Sequence, residues 1–393
     1  MDSQAAASTE VQKKFRWEKS TLIIFANTML GVLGLSVMTP AFPKMMAALD
    51  ISPQQVGLLI TVYSLPAFLL LLVMGVLADR YGRKRVIFPS LLLFGLTGAA
   101  CAFTRDFNLL LALRFLQGLG AAPLIPFAVV ILCDIYSENE RKVAISYNAS
   151  FISMSYAIFP SVGGILALAG WYFPFLTCLA AIPLGLAFLS LRNPEPRSSM
   201  GFKEYLGDVW SSLKNTQALG LFFVTTVTGI VLFGIIFNYL NILMGTFFGA
   251  SSFVIGVFLS CAFLAASLTS SQLKRMSYRS ENYFIKVSFF MYTLALASVP
   301  FMPGLWWLVI SVVLFGVGHG FGVPGRHAMI GKLAPMKNRA AFMAVSEVFM
   351  QFGVALGPIL MGAVFGAFGI SAVFFAGAGL ALFTFFLMLV IKE

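Results

Sequence analysis

Three charged side chains stand inside otherwise apolar runs, Arg114, Arg326 and Glu347, and His319 shares the run of Arg326. Charges placed in this way are costly and mark functional positions by default. Glu347 is the only acid deep in such a run, eight residues past Arg339 and so about 12 Å along a helix. Arg326 lies six residues before Lys332 on the preceding run, which brings both groups to similar depths and allows them to pair. A carboxyl whose partner comes and goes changes its proton affinity, and that is what a proton carrier needs. A static ion pair holding the two runs together fits the same residues. His319 is seven residues before Arg326, about 20° off the same helical face. It is suited to relaying a proton or touching a ligand, and equally to packing among the glycines beside it.

A second constellation is the stretch GVLADRYGRKRV at 75–86. It holds Asp79, Arg80, Arg83, Lys84 and Arg85 within seven residues, framed by Gly75 and Gly82. Gly75 lets a neighbouring helix approach closely. Asp79 is placed to stabilise the positive N-terminal end of another helix and to pair with Arg83, four residues on. An ordinary basic loop accounts for the cations but not for the acid.

The elements that carry these residues follow from composition. The 393 residues are 59% hydrophobic, 15% aromatic and only 10% charged, with a mean hydropathy of +0.92. Water-soluble domains carry about 25% charged residues, so this is an all-α, multi-pass membrane chain. The apolar runs repeatedly reach the length of about 20 residues that crosses a bilayer, and they lack the alternation of a barrel strand. Cys101, Cys133, Cys178 and Cys261 lie far apart inside apolar runs and read as buried small hydrophobes, with neither a disulfide framework nor a metal site. GFGVPG at 320–325 formally matches a nucleotide-loop pattern, but no strand precedes it and it sits in a spanning run. No cofactor, metal or ATP-driven chemistry is expected.

Twelve spans are predicted. Six lie at about 20–42, 56–78, 86–103, 109–133, 143–169 and 173–191; six more lie at about 219–244, 253–273, 284–302, 305–330, 340–368 and 372–391. The division is an N-terminal tail at 1–19, a six-helix bundle at 20–191, a linker at 192–218 and a second bundle at 219–391. A short amphipathic helix is expected in the linker around Phe202 to Leu213. Of the 26 Lys and Arg, 22 fall on the side that holds the termini and two, Lys44 and Arg105, on the other. By the positive-inside rule both termini are cytoplasmic, as expected for a plasma (inner) membrane protein. The net charge of +11 is therefore a topology signal, and no nucleic-acid partner is needed to explain it.

The two halves repeat at a constant offset of 198. Arg141 and Arg339, Pro160 and Pro358, and Gly164 and Gly362 are such pairs; so are Gly118 and Gly316, Gly120 and Gly318, and Pro126 and Pro324. Duplicated halves are a transporter plan, with the substrate site at mid-membrane where they meet.

GVLADRYGRKRV resembles the loop 2–3 signature of the major facilitator superfamily, G-x-L-A-D-R-x-G-R-K-x-x. RFLQGLGAA at 114–122 resembles that family's span-four motif R-x-x-Q-G-x-G-A-A. FPSVGG at 159–164 is similar to the antiporter motif G-P-x-x-G-G, with Phe159 in place of the usual Gly, and ALGPILMG at 355–362 carries Gly-Pro in the repeat. The resemblance covers nearly the whole chain and is nearest the 12-span drug:proton antiporter branch. It implies two pseudo-symmetric six-helix bundles and a latch of Gly75, Asp79, Arg80, Gly82 and Arg83 that closes the cytoplasmic side against span eleven. It also makes Arg114 the span-four arginine linked to proton coupling, although an arginine bonded to backbone carbonyls fits that position too.

In this plan spans one, four, seven and ten line the centre. They offer Asn27, Gln117, Phe237 and Asn241, with Tyr63, Asn148 and Gln351 on flanking spans. Aromatics with few polar groups suit amphipathic organic molecules better than sugars. The expectation is a monomeric secondary transporter that exports drugs or amphipathic small molecules in exchange for protons by alternating access. An organic-anion or metabolite carrier, by uniport or exchange, is the alternative suggested by Arg114, Arg326 and His319. A non-transporting sensor or membrane enzyme is a remote third, with no catalytic motif behind it.

Overall fold

The computed structural model describes residues 17–191, 207, 216–276, 279–334 and 339–390. For 72–81, 138–139, 142, 274 and 339–341 it describes the backbone alone. The described residues form twelve helical segments and no strand. The first six are α1 (Lys19–Leu49), α2 (Pro53–Tyr81), α3 (Arg83–Ala100), α4 (Phe107–Ile135), α5 (Glu138–Ala169) and α6 (Phe173–Leu189). The second six are α7 (Thr216–Phe247), α8 (Ser252–Gln272), α9 (Glu281–Phe301), α10 (Leu305–Leu333), α11 (Arg339–Phe368) and α12 (Ile370–Val390). Backbone groups in lipid must be satisfied within their own segment, so apolar runs of this length fold as helices.

Ten of the segments are long and apolar enough to cross a membrane. The other two fall short for physical reasons. α3 opens on Arg83, Lys84 and Arg85 within its 18 residues, and α6 is a shorter apolar helix. The expected tail before Trp17 lies outside the described residues, as does almost all of the linker at 192–218 with its Phe202–Leu213 stretch.

The 198-residue repeat is visible as packing. A Cβ on Gly120 would meet the Ser90 carbonyl at 2.7 Å, and one on Gly318 would meet the Ser288 carbonyl at 3.0 Å. Ser90 and Ser288 are themselves 198 apart. The same relation crosses between the halves: Gly164 lies against Ser252, and Gly362 against Gln54. Small residues here let helix backbones touch where lipid offers no hydrophobic drive to associate.

Two seams join the halves. Along one, α5 meets α8, where the Ser161 and Ser260 hydroxyls lie 2.7 Å apart. Along the other, α2 meets α11, where Thr61 donates to the Ala355 carbonyl at 2.7 Å. At the end away from the termini the halves also touch through Gly245 against Pro43 and Gly57 against Asn238 and Pro358. The two cations at that end are both engaged locally. Lys44 donates to the Ala167 and Leu168 carbonyls at 2.9 and 3.2 Å, closing the end of α5. Arg105 stacks on Trp171 and Tyr172, 5.0 and 4.8 Å from their ring centres.

α7 departs from regular α geometry. Ile230–Tyr239 and Leu243–Phe247 are π-helical, a widened form often found at functional sites. Gly234 allows this wider segment to lie directly on Gly357 of α11.

Candidate functional site

A cavity of about 100 Å³ lies where the halves meet. α1, α2, α4 and α5 of the first half and α7 and α11 of the second contribute to its wall. Glu347 and Gln351, one turn apart on α11, give the wall its carboxylate and its amide. Tyr63, Tyr156, Phe233 and Met350 supply aromatic and soft apolar surface, and the rest is aliphatic, glycine or proline. Gln351 donates to the Glu347 carboxylate at 3.3 Å. Tyr156 stacks on Phe263 with ring centres 4.8 Å apart, which fixes it across the α5–α8 seam.

Three of the expected site residues therefore face the cavity: Tyr63, Gln351 and Glu347. The other expected cavity residues are placed elsewhere, three of the polar ones for the same reason. A polar side chain in a dry bundle finds a partner on the next helix, so polarity on a central span often means helix-to-helix bonding. Asn27 donates to the Leu124 carbonyl at 2.6 Å, and Asn148 accepts from the Thr28 hydroxyl at 2.7 Å. Asn241 donates to the Phe237 carbonyl at 2.9 Å. Gln117 donates to the Cys178 sulfur at 3.1 Å and accepts from Arg114. Phe237 is fully buried between Phe233 and Phe263, with ring centres 5.1 and 5.5 Å away.

Arg114 is 0% exposed. Its guanidinium donates to the Gly34 carbonyl at 3.1 Å, the Leu59 carbonyl at 3.4 Å and the Gln117 side chain at 2.6 Å. It also lies 4.2 Å over the Tyr63 ring. Carbonyl dipoles and a π face hold the charge, and among the described residues no carboxylate pairs with it. Arg114 thus clasps α1 and α2 to α4.

His319 is also away from the cavity wall. Its Nδ1 lies 2.7 Å from the Tyr292 hydroxyl, and its ring packs against Phe263 and Phe315, each 5.7 Å away. Arg326 is 5% exposed, and its Nε has no partner among the described residues. Arg326 and Glu347 lie near enough to act on one another electrostatically, yet no ion pair joins them among the described residues.

In the loop between α2 and α3, Gly82 has φ +87°, a left-handed conformation that glycine adopts without strain. Arg83 pairs with Asp134 at the end of α4 and donates to the Val130 carbonyl at 3.3 Å. The side chains of Asp79 and Arg80, and the surroundings of Gly75, lie outside what is described.

Sequence reasoning missed Tyr156, Phe233 and Met350 as wall residues. Phe233 was within reach of it, being one turn before Phe237 on the same stripe, and Met350 adjoins Gln351. Tyr156 carried no such signal.

The chain matches the Major Facilitator Superfamily over residues 24–303 and 221–393. It belongs to that superfamily. As a major facilitator protein it is a multi-pass membrane transporter, with a carrier's cavity in place of a catalytic centre. It is 27% identical over 387 residues to the "Multi-drug resistance efflux pump PmrA" of Streptococcus pneumoniae, covering 92% of this chain and 93% of that one. It is 25% identical over 359 residues to the "Bacillibactin exporter" of Bacillus subtilis, covering 86% and 88%. Over 357 residues it is 23% identical to the "Quinolone resistance protein NorA" of Staphylococcus aureus, covering 88% and 90%. Among solved structures, the nucleoside transporter NupG superimposes with a TM-score of 0.75 at 16% identity, covering 94% of this chain and 98% of that one. The human organic anion transporter MFSD10 gives 0.71 at 18%, covering 94% and 99%. These two likenesses establish the major facilitator fold.

Proposed function

We propose that this transporter exports amphipathic, lipophilic cations in exchange for protons, by alternating access of its two halves. One observation carries the reading: a single carboxylate, Glu347, bonded to the Gln351 amide, stands in a mainly aromatic and apolar wall without an ion-pair partner among the described residues. Such a wall binds a flat hydrophobic body, and its carboxylate takes either a cationic head or a proton. Competition for that one group couples the two fluxes. The names of the relatives, which speak of efflux and drug resistance, support the same direction. An organic-anion carrier would need cations at the wall, whereas Arg114, Arg326 and His319 all lie behind it.

Sites for drug-sized molecules measure about 300–1,000 Å³. At about 100 Å³ the cavity is contracted, so loading requires the halves to part. The latch reading has support in the register of α2 on α11. Gln54 lies by Gly362, Thr61 by Ala355 and Phe68 by Phe352. Continuing that antiparallel register brings residue 79 level with the first turn of α11. There a carboxylate is favoured by the helix N-terminus, and Gly75, Asp79, Arg80, Gly82 and Arg83 form the closing element. The charge count supports cytoplasmic termini in a plasma (inner) membrane, and a monomer suffices because one chain holds both halves.

Substrate-dependent proton movement in proteoliposomes, with ethidium as the cationic probe, tests the reading. Ethidium-driven proton release is expected. Transport of an anionic dye with none of ethidium would reverse it.

A further inference from the structure

The repeat contains an ion pair with its charges exchanged. Arg83 at the start of α3 pairs with Asp134 at the end of α4. Exactly one repeat later, at the same offset of 198, Glu281 at the start of α9 pairs with Lys332 at the end of α10. Lys332 reaches both Glu281 oxygens at 2.7 Å. All four residues lie at the end of the molecule that holds the chain termini.

Bonding within each half does not explain the exchange, because either order of signs closes the bridge. Helix dipoles favour one order. An acid in the first turn and a base in the last turn are stabilised, and the reverse is opposed. Glu281 and Lys332 obey this rule. Arg83, in the first turn of α3, and Asp134, in the last turn of α4, both violate it. The first-half pair therefore carries an opposition that the second-half pair shows to be avoidable.

The symmetry between the halves supplies the reason. Residues 198 apart are mates across the pseudo-twofold axis, as the Gly120–Ser90 and Gly318–Ser288 contacts show. If both halves kept the same order, positions 134 and 332 would carry like charges and repel whenever this end closed. With the order inverted in one half, positions 134 and 332 carry opposite signs.

We infer that Asp134 and Lys332 are gate partners. They are held within their own halves in the present state and pair with each other across the axis when the end bearing the termini closes. The dipole-opposed Arg83–Asp134 bridge is the one that yields, and Arg83 keeps the Val130 carbonyl it already touches. This assignment does not depend on which substrate is carried.

The test exchanges charges one half at a time. Arg83→Glu with Asp134→Lys preserves the bridge within the first half and matches it to the dipoles, so thermal stability should hold or rise. It also sets Lys against Lys332. Transport should fall about tenfold, since confronting like charges oppose closure. Spin labels on Ile135 and Leu333, in a background without native cysteines, should show the short-distance population depleted. Adding Glu281→Lys and Lys332→Glu restores opposite signs, and the short distances should return; transport is read on the second-half exchange alone, because Arg83 also belongs to the closing element. Glu281→Lys with Lys332→Glu alone should reproduce the defect, and it serves as the test if the first double variant fails to insert. Wild-type transport and distances in a stable one-half exchange would overturn the inference. So would a stable fourfold variant in which the short distances stay depleted.

Discussion

The Arg114 guanidinium lies 4.2 Å over the ring of Tyr63, and through that contact a buried cation of α4 is tied to the wall of the transport cavity. Tyr63 faces the cavity while Arg114, behind it, bonds the Gly34 and Leu59 carbonyls. Arg114→Ala should remove these bonds and leave the Gln117 oxygen without its donor in a dry bundle, at about 1–3 kcal/mol for that buried group. The expected result is a clear fall in thermal unfolding temperature in detergent, with Arg114→Lys intermediate. An Arg114→Ala protein as stable as its parent would show that the clasp does not support the fold.

Gly118 sits directly on the Tyr63 backbone, where even a Cβ would collide with the carbonyl. Gly118→Ala should push α4 from α2 and lower stability by about 1–3 kcal/mol, the range for overpacking. Gly379 has open space around it, so Gly379→Ala is the matched control and should be neutral or slightly stabilising. Equal unfolding temperatures for the two variants would contradict the close α2–α4 approach.

The aromatic wall predicts how affinity is distributed. Phe233→Ala and Tyr156→Ala should weaken binding of ethidium by about tenfold, a loss of about 1.4 kcal/mol each. Asn27→Ala should alter stability and leave ethidium affinity unchanged, because Asn27 bonds Leu124 away from the wall. Binding titrations by fluorescence distinguish these. Loss of affinity in Asn27→Ala at unchanged stability would return that residue to the site.

For the latch, Asp79→Asn should preserve insertion and expression while cutting turnover. A carboxylate level with the first turn of α11 stabilises the closed state, and the amide carries no charge to do so. Full transport by well-expressed Asp79→Asn would remove the latch from the account.

The fold was legible because lipid imposes a simple rule: apolar runs of sufficient length become helices. The repeat was legible because glycine and proline at fixed offsets mark close packing. The site was read less well. Gln351 and Tyr63 were expected at the cavity and line it, and Glu347, expected to couple protons, lines it too, but Asn27, Asn148, Gln117 and Asn241 were assigned there on polarity alone. In the structure each bonds a neighbouring helix or its own. One sequence does not reveal which face of a central span looks inward. His319 shows the same limit, since the Tyr292 hydroxyl that holds it lies 27 residues away on α9.

Glu347→Gln, with thermal stability and gradient-driven ethidium transport measured on the same sample, tests the central claim most directly. Glu347 forms no ion pair among the described residues, so a neutral isostere should leave the unfolding temperature near that of the parent. Uphill transport driven by a pH gradient should be abolished and ethidium binding weakened with it, because the neutral amide mimics the proton-loaded state that the cation must displace. A static ion pair with Arg326 predicts instead a stability loss of about 3–5 kcal/mol. Collapse of the fold in Glu347→Gln, or uphill transport at the parent rate, would contradict the account.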